Sequence, residues 1–77
     1  MTNDANSIKM LLEGMIKHQT TKVLKIAREL IPNITPEDIR NPQDFPVLYK
    51  DIVFNYEDGI LSGYLAIQTA INNLTKT

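Results

Sequence analysis

The chain has 77 residues, 43% of them hydrophobic, with no cysteine, one histidine and a formal charge of −1. That length implies one domain, residues 1–77, whose core supplies no more than roughly 3–5 kcal/mol unless disulfides, metal or oligomerisation reinforce it. Without cysteine there are no disulfides or thiolate sites, and one histidine cannot build a structural zinc site, so oligomerisation is the reinforcement left.

The opening Met1-Thr2-Asn3-Asp4 has neither the basic nor the apolar stretch of a secretory signal. No apolar run approaches the ~20 residues needed to cross a bilayer, so the expectation is a cytoplasmic protein with no membrane partner. Charge is unevenly placed. Residues 1–31 carry a small basic excess, residues 32–58 are strongly acidic, and after Asp58 the only charged residue is Lys76.

After a polar lead, with Asn6 or Ser7 as cap, the spacing predicts a first long helix over roughly 7–31. Ile8, Leu12, Met15, Gln19, Val23, Ile26 and Leu30 recur at steps of four and three, with Leu11, Ile16 and Ala27 flanking the stripe. The phase runs unbroken through Gln19-Thr20-Thr21, although the threonines lower local propensity. Gln19 is the polar exception on the stripe, and such a residue can fix register and oligomer state.

Pro32 ends that helix, and all four prolines fall between Pro32 and Pro46. Thr35-Pro36-Glu37-Asp38 has a capping Thr, a Pro at the first helical position and an acid at the third, a strong start signal. Asn41-Pro42-Gln43-Asp44 has the same form, so the chain here reads as a bridge of short helical turns. Four of the five aromatic residues, Phe45, Tyr49, Phe54 and Tyr56, lie in or just after it. They are expected to pin the bridge onto the helices. Residues 46–54 could form two short strands by β-propensity, but Lys50-Asp51 is a poor hairpin turn and an isolated ribbon is unstable.

The second long helix is expected over roughly 56–74, capped by Asn55. Winding at about 100° per residue gathers Ile60, Tyr64, Ile67, Ile71 and Leu74 on one face. Beside it runs a stripe of small residues, Gly59, Gly63, Ala66 and Ala70, and on a third side stand Leu61 and Leu65. Two glycines cost a helix roughly 1 kcal/mol each relative to Ala, so the stripe is expected to gain from close helix–helix contact.

No constellation carries chemistry. His18 lies beside the apolar stripe with no carboxylate or nucleophile placed to work with it, and neither Ser7 nor Ser62 sits in an elbow-like context. The acids Glu37, Asp38, Asp44, Glu57 and Asp58 fall at helix starts, where carboxylates are favoured, and lack the spacing of a calcium loop. Lys17, Lys25 and Arg28 share one broad side, but a slightly acidic chain does not fit nucleic-acid binding well. Asp58-Gly59-Ile60 is the nearest counterpart of the Asp-Ser-Leu that opens the second helix of acyl carrier proteins. With no serine to bear a prosthetic group, that likeness fails.

The expected fold is therefore all-α: two long amphipathic helices packed as a hairpin, joined by a proline-rich bridge of short helical turns. The expected function is a non-enzymatic protein–protein interaction module or small regulator with no metal or cofactor. It is expected to self-associate as a homodimer, or to bind a protein partner, through Gly59, Leu61, Gly63, Leu65, Ala66 and Ala70. A nucleic-acid regulator using the basic side of the first helix is the alternative.

Overall fold

The computed structural model describes residues 4–75. Four α-helices and one 3-10 turn follow one another: α1 (Asp4–Leu30), α2 (Pro36–Ile39), the turn Pro42–Asp44, α3 (Pro46–Tyr49) and α4 (Ile52–Leu74). The two long helices pack against each other as a hairpin, and the described residues include no strand. The hairpin is elongated, 46 × 19 × 18 Å.

Helix α1 is unbroken, as its phase predicts, but starts at Asp4, ahead of the expected cap at Asn6 or Ser7. Thr21 does not interrupt it, because its hydroxyl donates back to the Lys17 carbonyl at 3.0 Å within the helix. Pro32 has no N–H to continue the ladder, and the chain turns at once, with the Ile34 amide donating to the Ile31 carbonyl. The capping box at Thr35 forms as expected. The Asp38 amide donates to Thr35 Oγ1, and the Thr35 amide donates to Asp38 Oδ2, both at 3.1 Å. Asn41 makes no such cap. Its side chain bonds nothing there, and Pro42–Asp44 tightens into the 3-10 turn instead.

The start of α4 corrects the sequence reading. The cap is Asp51, whose Oδ1 accepts from the Phe54 amide at 2.7 Å, and Ile52-Val53-Phe54 is the first turn of the helix. Asn55 lies inside the helix and donates its side-chain amide to the Tyr49 carbonyl at 2.7 Å. β-Branched and aromatic residues are mediocre helix formers, so propensity hid this turn. Burial of Phe54 overrides it.

The core sits at the closed end of the hairpin. Val23 and Ala27 of α1, Ile34 and Leu48 of the bridge and Phe54 of α4 form one buried cluster, with Ile26, Ile31, Ile39, Phe45 and Leu61 packed around it. The bridge is thus pinned by Phe45 and Phe54, while Tyr49 and Tyr56 are exposed, against the expectation for all four aromatics. Among the described residues six apolar side chains are buried and thirteen large ones are exposed. So small a core leaves much apolar surface in water.

Candidate protein interface

The face that α4 turns to α1 overlaps only in part the one the isoleucines mark. Buried Phe54 and Glu57 and half-buried Leu61, Tyr64, Gln68 and Ile71 follow one line along the helix. At about 100° per residue that line lies roughly 70° round from the centre of the Ile60–Leu74 face, and Tyr64 and Ile71 are common to both. Ile67 is therefore 51% and Leu74 77% exposed. A polar node draws the rotation. The two N–H groups of the Gln19 side-chain amide donate to the Glu57 carbonyl oxygen at 2.9 Å and to Glu57 Oε1 at 2.8 Å. The other carboxylate oxygen pairs with Lys22 Nζ at 3.2 Å. Gln19 is only 5% exposed, so its amide does not reach out to water at the edge of the seam; it is fully enclosed and satisfied inside it. Glu57, read from sequence as a helix-start acid, belongs to the seam.

The node sets an acid dependence. The Gln19 hydrogen bond holds the Glu57 carboxyl below its ordinary 4.5; burial opposes this, and Lys22 adds to the lowering. A depressed carboxyl stabilises the fold above its unfolded value, and that stability is lost as pH falls through the folded value. Asp58 works in the opposite sense. Burial raises its carboxyl above 3.8, so its ionisation at neutral pH opposes folding. Two thermal-melt series check the signs. Glu57→Gln melts below the wild type at pH 7, and the gap narrows as pH falls below 4.5; a gap constant down to pH 3 refutes the role given to Glu57. Asp58→Asn melts above the wild type at pH 7, and the difference disappears in acid.

Asp58 stands at the rim of an apolar cleft of about 430 Å³. Val23 and Leu61 belong to the core beneath it, and Leu24, Ile39 and Leu65, with Pro36 and Pro42, complete its apolar lining. Of the expected interface residues, Leu61 is thus half-covered by the chain's own core, and Leu65 opens on the cleft at 42% exposure. The small stripe is placed elsewhere. Gly59, Gly63, Ala66 and Ala70 are all exposed on the side of α4 away from α1. A Cβ added at Gly59 or Gly63 would meet nothing within 4 Å. Within one chain, then, the stripe is not a helix–helix contact: the close approach expected of it is not made by α1, which packs on another side of α4.

The outer side also carries Ile52 at 84%, Tyr56 at 68% and Ile67 at 51% exposure. These large residues were not counted with the stripe. An expected helix start at residue 56 leaves Ile52 out, and the sequence places Ile67 on the isoleucine face beside the stripe. The outer side is complete only when α4 begins at Ile52.

The remaining candidates stay apart. His18 is exposed, as its phase predicts. Lys17 and Lys25 are exposed, whereas Arg28 donates Nε–H to the Ile34 carbonyl at 3.1 Å and so ties α1 to the bridge. Among the described residues no group of three or more His, Cys, Asp or Glu is arranged to hold a metal ion, and no helix is long and apolar enough to cross a membrane. No protein-family model matches this chain, and no curated protein or solved structure matches it.

Proposed function

We propose that this protein is a non-enzymatic interaction module that binds a second copy of itself through the outer side of α4. The observation that carries the reading is the absence of charge along that helix beyond Asp58, combined with cover on one side only. An uncharged helix with large apolar side chains exposed on the side away from its cover presents the kind of surface that marks an interaction site.

Charge favours a protein partner here. Five of the eight basic residues lie on α1, where Arg28 and Lys22 are engaged within the fold, and α4 itself carries no Lys or Arg to meet a phosphate backbone. A regulator that masks an apolar helix of another protein would use the same side. Sedimentation equilibrium from micromolar to millimolar concentration tests the reading. The expected result is a mass rising to twice that of the chain, with little dependence on salt. A mass fixed at one chain over the whole range refutes self-association.

A further inference from the structure

Asp58 carries a charge that the fold does not use. The helix-start role suggested by the sequence falls away, because α4 begins at Ile52 and Asp58 stands in its second turn, past the reach of the helix end. Its neighbour Glu57 is bound by Gln19 and Lys22. The Asp58 carboxylate has no hydrogen bond or ion pair among the described residues. It is half-buried at the rim of the apolar cleft, and burial raises its carboxyl above the ordinary value with no partner to offset the effect. A desolvated acid with no structural partner, set in a cleft, marks a candidate binding site.

The cleft supplies the rest of that site. Its volume of about 430 Å³ falls in the ~300–1,000 Å³ range of small-molecule pockets. The wall that α1 contributes, Thr20, Val23 and Leu24, is uncharged, and the bridge adds one charge, Arg40. Arg40 pairs with Glu37 at 3.6 Å with its side chain 76% exposed, and so leaves Asp58 uncompensated. We propose that the cleft binds a small apolar amine, with its hydrocarbon body between Leu24 and Leu65 and its ammonium on Asp58. An ammonium has three N–H groups to donate, and Thr20 and Ser62, also on the lining, offer hydroxyl oxygens to accept them. An ion pair flanked by apolar walls is stronger than the same pair in open water. A carboxylate ligand would instead be repelled by Asp58 and find only the solvated Arg40. The cleft and the outer side are different sides of α4, so this binding does not rest on the pairing of copies.

Hexylamine, methylamine and hexanoate, titrated separately at neutral pH and followed by amide NMR of the isotope-labelled protein, test the assignment. Hexylammonium is expected to saturate and to shift the amides of Thr20, Leu24, Ile39 and Leu65. Methylammonium, which lacks the apolar body, and hexanoate, which has the wrong charge, should bind at least about tenfold more weakly. Asp58→Asn keeps the shape of the side chain and is expected to fold more stably, so its weakening of hexylammonium binding by about tenfold or more reports the charge alone. Equal affinity in Asp58→Asn, tighter binding of hexanoate, or no saturation at millimolar amine overturns the proposal. Shifts confined to Tyr56, Gly63 and Ile67 also overturn it, since the amine then coats the outer side of α4. Tighter binding of N-acetyl-lysine methylamide than of hexylammonium means a peptide lysine is the ligand and overturns the small-molecule assignment. Sedimentation of the same samples keeps the two proposals apart: a monomer that binds hexylammonium in the cleft upholds this one and removes self-association.

Discussion

Phe54→Ala is expected to leave the chain largely unfolded at 25 °C. Phe54 is fully enclosed, and it is the one residue of α4 in the buried apolar cluster that α1 and the bridge share. Truncating a buried Phe to Ala typically costs about 3–5 kcal/mol through lost transfer energy and the cavity left behind. A single core in a domain this small supplies about the same amount, so the loss is comparable to the whole. Its neighbour provides the control. Val53 is 57% exposed on the same helical turn, and Val53→Ala should shift stability by no more than about 0.5 kcal/mol. Circular dichroism through a urea titration separates the two. A Phe54→Ala variant with the wild-type midpoint would mean that the core does not hold the hairpin closed.

The all-α hairpin was legible because its signals are local. A sustained period of four and three along α1, proline at Pro32 and the Thr35 capping box each fix one boundary by chemistry within a few residues, and the structure keeps all three. Gln19 was legible as a polar residue on an apolar stripe. What it binds was not, since Glu57 lies 38 positions away and looks like an ordinary helix-start acid until the two helices are set side by side. The start of α4 was hidden for a different reason. Asp51 is as good a cap as Asn55, and only burial of Phe54 decides between them. That misplacement had a consequence, because it removed Ile52, the most exposed large residue of the outer side, from the helix. The small stripe then looked complete by itself and was expected to take a neighbouring backbone. With the full helix in place, small and large residues alternate on the exposed side, and α1 packs along the Gln19–Glu57 line instead.

The decisive substitution for the proposed interface is at Gly63, and the structure of the single chain gives it an unusual contrast. In the monomer Gly63 is exposed with open space above it, so Gly63→Ala should stabilise the hairpin by up to about 1 kcal/mol through helix propensity, and Gly63→Leu should at least be tolerated. In the proposed pair the same leucine stands on the face of α4 where the copies meet. Overpacking costs about 1–3 kcal/mol at one site, and the two-fold repeats the clash, so the dissociation constant should rise at least about tenfold. Ser62→Leu places the same side chain one residue away, on the cleft side of α4, and should leave association unchanged. Sedimentation equilibrium gives the association constants, and melting curves recorded well below the dissociation constant report the monomer fold. The expected outcome is a Gly63→Leu chain that folds and does not pair, beside a Ser62→Leu chain that does both. If the two leucine variants associate equally well, the outer side of α4 is not where the copies meet.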